Sequence, residues 1–337
     1  MATQHKSSTK SAPNKKPIGP GRISKQRMSE RTVPHEIVSV RWLVKALLAM
    51  LVAAGFALYC TVCLLFYQGQ WQFAFFPPKA AQNTLMPSAA SIAASSRLPI
   101  TDIQFDYTEE GSARLDGWWV PAALDSTNEK GASPSSSSSV SPLVVLFCPN
   151  GRTALPDNVA ALQAFHALGV SVFAFDYRGF GASQHVHPSQ RKAYADGEAA
   201  LNYLTATRHI DAKKIVVYGA GLGSAIAVHV ARQTPQIAAL ILESPQPSLV
   251  QEVKSELHIH VLPLWLIFQQ RFDIAPIVPT LKMPKLFLVT PNDANATTLY
   301  KQAREPKQID RIPKNINETI YTQPAWLQAM HSFLHGD

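Results

Sequence analysis

The hydrophobic pattern falls into three stretches. Residues 1–41 carry no apolar period and are rich in Lys, Ser, Pro and Gly, the composition of a segment that cannot bury enough apolar area to offset ordering. From Ala46 to Phe66 there is no charged residue in ALLAMLVAAGFALYCTVCLLF. As a helix this run spans roughly 30 Å, one hydrocarbon core. Trp42 and Lys45 precede it and Tyr67, Trp71 and Phe73 follow, in the places of interfacial anchors. A cleaved signal peptide has a shorter core and a small-residue cleavage site, and a buried core helix rarely stays uncharged this long. The pattern predicts a transmembrane signal anchor over residues 42–67. A juxtamembrane linker of small residues follows over 68–98.

Beyond residue 99 the period shortens. Ile100–Tyr107 and Gly117–Pro121 read as antiparallel strands, followed by a Ser-rich flexible insert over 125–142. Then strands and helices alternate. Strands are predicted at Leu143–Phe147, Val170–Asp176, Lys214–Gly219, Ile237–Glu243, Pro284–Val289 and Gln308–Ile312. Helices are predicted at Asn158–Leu168, Gln190–Thr207, Leu222–Gln233 and Pro324–His335. Leu143–Phe147 (LVVLF) is a short apolar run, as strands covered on both faces are. This alternation implies an α/β fold, a mostly parallel sheet with helices on both faces, over residues 99–337.

Charge sharpens the topology. The net charge is +8, and residues 1–45 hold ten basic and two acidic residues, which accounts for all of it. A charge confined to one tail beside an apolar helix reads as topology, not as nucleic-acid binding. The expected arrangement is a cytoplasmic amino terminus and a carboxyl-terminal domain on the far side, periplasmic in a bacterium. Cys60 and Cys63 lie in the apolar run, leaving Cys148 alone in the remainder, so cysteines say nothing about the compartment. No Cys/His cluster has metal-ligand spacing, and no cofactor motif is visible. The bilayer is the expected partner of the apolar helix; a small molecule or a protein is the open alternative for the domain.

In open α/β sheets the chemistry gathers outside the carboxyl ends of the strands. Gly219-Ala220-Gly221-Leu222-Gly223 lies between a predicted strand and helix. Gly-x-Ser-x-Gly in such a place is a nucleophile elbow, whereas here Gly221 stands at its centre. An ordinary glycine turn and an anion-binding helix start are the other readings. Asp176-Tyr177-Arg178-Gly179-Phe180-Gly181 follows the preceding strand, and Glu243-Ser244-Pro245 the next. With Asp293 four residues after Val289, these loops resemble the membrane-anchored branch of the α/β-hydrolase superfamily, from about Tyr67 to Leu334. Its relatives include serine aminopeptidase-like domains and hydrolases of lysophospholipids, monoacylglycerols and acyl thioesters.

The resemblance implies a degenerate catalytic triad. The nucleophile position falls on Gly221, the acid position on Asp293, and the histidine position on Asn317. The oxyanion loop corresponds to Cys148-Pro149-Asn150, with the Leu222 N–H as a further donor. Cys148 is either a displaced nucleophile or a small buried apolar residue. Ser224 is expected in the first turn of the helix facing the sheet, and Ser244 at a strand end. Residues 246–272 read as a cap over the site, as an ordinary core helix, or as a membrane contact through Trp265 and Phe268. The chain is thus expected to be a pseudo-hydrolase that binds a ligand or partner. The alternatives are a hydrolase of acyl esters, thioesters or peptides using a non-standard nucleophile, and a structural scaffold.

Overall fold

The computed structural model describes residues 39–76, 87–107, 113–123, 143–257, 262–313 and 318–336. Residues 1–38 of the basic tail, the Ser-rich insert and Asn317 lie outside the described residues. The helices are α1 Val40–Gly69, α2 Trp71–Ala74, α3 Ala89–Ser96, α4 Val159–Ala167, α5 Gln190–Asn202, α6 Gly223–Gln233, α7 Leu249–Leu257, α8 Leu264–Ile267, α9 Ala294–Gln302 and α10 Pro324–His335. The strands are β1 Thr101–Tyr107, β2 Ala113–Val120, β3 Val144–Cys148, β4 Ser171–Phe175, β5 Ile215–Ala220, β6 Ala239–Glu243, β7 Lys285–Val289 and β8 Lys307–Arg311. Two compact units divide the chain after Phe56, so the last turns of α1 belong with the sheet.

α1 has a mean hydropathy of 2.3 in its most apolar window and none of its residues is buried. It is long and apolar enough to cross a membrane. The expected spacer is partly structured. Ser88 caps α3 by accepting from the Ser91 N–H, and the small residues that follow are helix formers rather than linker.

The eight strands form one sheet in the order β1-β2-β4-β3-β5-β6-β7-β8. The β1–β2 and β2–β4 pairs are antiparallel, and every later pair is parallel. Side chains alternate across the sheet, and each face has its own core. Val144, Leu146 and Cys148 of β3 face α5 and α6, whereas Val145 and Phe147 face α4 and α10. Both faces are covered, which is why β3 is apolar at every position. The carboxyl ends of β3, β5 and β6 then lie side by side, with Cys148 opposite Gly219 and Ala220 opposite Glu243.

Candidate active site

At the tip of β5 the chain turns sharply into α6. Gly221 has φ +54°, a left-handed conformation that glycine adopts without penalty. A Cβ on Gly223 would lie 2.1 Å from the Cys148 carbonyl oxygen, so the helix can enter this close to β3 only with glycine there. The frame of an elbow is therefore kept. The space for its nucleophile is not. A Cβ on Gly221 would lie 2.7 Å from the side-chain nitrogen of Asn150, whose amide fills that position.

The other candidate groups are spoken for. Cys148 is fully buried in the core, and burial pushes its thiol well above the ordinary range, so a thiolate is suppressed. Ser224 is buried, and its hydroxyl donates to the Gly219 carbonyl at 2.9 Å. Asp293 caps α9, accepting from the Ala296 N–H at 2.9 Å. Ser244 stands at the end of β6 with φ +46° and lines the cavity. Pro149 donates nothing, but its carbonyl accepts the Tyr177 hydroxyl at 2.9 Å. The structure brings Gly221, Leu222 and Asn150 together at the cavity.

That cavity has a volume of about 380 Å³. Asn150, Arg152, Ser244, Gln246 and Glu252 supply its polar side; Phe73, Leu222, Leu249 and Phe272 supply apolar wall. Phe73 and Ala74 come from α2, directly after the apolar helix. The sequence reading missed this wall. Its hidden signal was Gly151: a Cβ there would meet the Ala74 carbonyl oxygen at 2.6 Å, and the Phe76 N–H donates to the Gly151 carbonyl at 2.8 Å. Arg152 in turn places its guanidinium 4.5 Å from the Phe76 ring centroid.

The Asp176–Gly181 loop is a brace and not a wall. Asp176 accepts from the Leu155 N–H at 2.9 Å, and the Ser183 hydroxyl donates to the Asp176 carbonyl at 2.7 Å. Arg178 donates to Asp196 through both its backbone N–H and its Nε. Within residues 246–272, α7 sends Leu249 and Glu252 to the cavity, as a cap would. Of the two residues named for a membrane contact, the Trp265 side chain lies outside what the structure describes, and Phe268 is buried. That ring is 1% exposed and packs 5.9 Å from Phe66 of α1.

A mostly parallel sheet, a glycine-framed turn after its central strand and a cavity above that turn define the α/β-hydrolase class. Solved structures share the fold: the Pyrococcus furiosus esterase Pf2001 aligns at TM-score 0.57 and 17% identity over 78% of this chain and 97% of its own. An α/β hydrolase of Vibrio vulnificus aligns at TM-score 0.54 and 17% identity over 77% and 88%. Residues 157–333 match the family described as serine aminopeptidase, S33, and the chain belongs to that family. A Mycobacterium tuberculosis relative, the uncharacterized protein Rv2307c, is 30% identical over 79% of this chain and 86% of its own length.

Proposed function

We propose that this protein is a membrane-anchored member of its family that binds a ligand in the cavity over Gly221 without hydrolysing it. One observation carries the reading: Gly221 brings no side chain to the turn after β5, and the Asn150 amide lies 2.7 Å from where a Cβ would stand. Nucleophilic attack needs a hydroxyl or thiol with a base within about 3 Å. Deleting one member of such a unit costs nearly as much as deleting all of it. The cavity walls include no histidine among the described residues. Burial of Cys148 weighs against a displaced thiol nucleophile, and an open cavity beside Gly221 favours binding over a scaffold with a filled site.

The lining sets the chemistry of the ligand. Asn150, Ser244 and Arg152 suit a polar group rich in acceptors, and Phe73, Leu249 and Phe272 suit an apolar portion. The basic tail keeps the amino terminus cytoplasmic and puts the domain on the far side of the bilayer.

The test is fluorophosphonate labelling of the purified full-length chain, with turnover of short acyl esters measured in parallel. Neither labelling nor turnover is expected. A label that maps to any residue of the cavity would overturn the reading.

A further inference from the structure

The short helix α8 has two unlike sides. Leu264 is buried, as is Phe268 just past the helix end, whereas Leu266 is 65% exposed. Outside α1, the exposed large apolar side chains among the described residues are Phe76 and Leu266. Phe76 lies under the Arg152 guanidinium, which leaves Leu266 as the feature to account for.

The place of α8 in the fold supplies the account. Phe268 packs on Phe66 of α1, and Phe73 packs on both, with ring centroids 5.2 Å from Phe66 and 6.5 Å from Phe268. One residue further on, the contacts turn polar. The Gln269 side chain donates to the Tyr67 hydroxyl, and buried Gln70 accepts from the N–H groups of Gln269 and Gln270. Phe66 is also the last residue of the uncharged apolar run, and Tyr67, Gln68 and Gln70 follow it. The hydrocarbon boundary set by α1 therefore falls at the level where α8 is attached. Around that level lies an interfacial rim. Trp71 contacts the His187 ring at 4.9 Å, and Gln269 and Gln270 share a cavity of about 780 Å³ with Arg191 and Lys192 at the start of α5. Aromatic and basic side chains of this kind mark the headgroup layer of anionic membranes.

We infer that this face of the domain rests on the bilayer, with Leu266 at the acyl boundary and Arg191 and Lys192 among anionic phospholipid headgroups. α8 is then a second, shallow membrane contact beside the spanning helix. The inference rests on the reading of α1 as a membrane span. It has a consequence for the binding site: the Phe73 ring that packs on Phe66 and Phe268 also lines the cavity over Gly221, so that cavity sits one side chain from lipid.

Depth measurements on the full-length chain test this. The chain is reconstituted into vesicles of phosphatidylcholine alone, or of phosphatidylcholine mixed with phosphatidylglycerol. A fluorophore is attached at one of three positions: native Cys60 with Cys63→Ser, or Leu266→Cys or Lys213→Cys, each with Cys60→Ser and Cys63→Ser. Cys148 is fully buried and takes no label. Lys213 is exposed at the amino ends of the strands and serves as the aqueous reference.

Positions 60 and 266 should be quenched by nitroxides on lipid chains and protected from iodide several-fold relative to position 213. Iodide access at 266 equal to that at 213 overturns the inference. So does shielding of 266 from both quenchers, which would mean that a second copy of the chain covers it. Failure of the lipid quencher at Cys60 would instead defeat the membrane-span reading itself. Arg191→Gln with Lys192→Gln should lift the label at 266 toward water in the phosphatidylglycerol vesicles and leave it unchanged in phosphatidylcholine. An unchanged depth in both overturns the headgroup assignment.

Discussion

Gly221 combines a left-handed φ with an occupied Cβ position, so any side chain placed there meets two penalties at once. Gly221→Ala should cost roughly 1–3 kcal/mol for the backbone conformation, plus a clash with the Asn150 amide. Urea denaturation should show that Asn150→Ala recovers part of that loss, because it removes the clash and leaves the φ penalty. The same geometry constrains any repair of catalysis. Gly221→Ser with Asn317→His gains fluorophosphonate labelling only where the Asn150 amide swings aside, so adding Asn150→Gly should raise it. A second residue-scale effect concerns Asp116. Burial first, and the neighbouring Asp102 second, push its carboxyl up to about 6. The folded chain then holds that proton to higher pH than the unfolded chain, so this group's contribution to stability falls as pH rises from about 4 to about 6. Asp116→Asn should match the parent near pH 4 and exceed it near pH 7. Denaturation midpoints across that range check the difference; a parallel pair of curves would refute it.

At the scale of elements, the carboxyl end of β6 is tied to the last helix by a buried polar knot. The Tyr218 hydroxyl donates to the Glu243 carboxylate, the Tyr321 hydroxyl donates to the same oxygen at 3.0 Å, and Trp326 Nε1 donates to the Tyr218 hydroxyl at 3.3 Å. Tyr321→Phe removes one donor from a desolvated carboxyl and should cost about 1–3 kcal/mol. Loss of near-UV circular dichroism from Trp326 should accompany the lower midpoint. The same scale shows why some elements were legible and others not. The central parallel strands are mostly apolar and bounded by turn residues, the edge strand β8 (Lys307–Arg311) is mostly polar, and each appears within a residue or two of its predicted position. Helix α9 was missed because Ala294–Gln302 shows its core only through Ala296 and Leu299, with Thr297 and Thr298 weakening the pattern. Asp293 was the available signal. Read as a triad acid it points to chemistry; as an N-cap it announces the helix that follows.

For the whole molecule, the segment after the apolar helix behaves as part of the domain. Phe75 is 1% exposed, and its ring lies 5.8 Å from Phe272, 6.1 Å from Phe180 and 6.4 Å from Tyr177. A chain beginning at Leu98, where the linker was expected to end, loses these contacts and opens one wall of the cavity. Burial of Phe75 alone is worth about 1.5–3 kcal/mol. Relative to a chain beginning at Phe66, the shorter one should melt at least about 5 °C lower. Thermal scans of the two proteins provide the comparison, and equal melting temperatures would show that the segment is a mere tether.

The sequence by itself determined the long apolar helix, the alternation of strands and helices, and the glycine at the centre of the turn after β5. Each of these is written in local period, charge placement or a single residue type. Tertiary structure decided what fills the space above that glycine. Asn150 reaches it from the loop after β3, 71 positions away in sequence, because β3 lies beside β5 in the sheet. Tertiary structure also decided that Phe73 and Ala74 wall the cavity and that Phe268 turns inward to Phe66 of α1. Side-chain periodicity tells which face of an element is apolar, but not which distant segment will cover it.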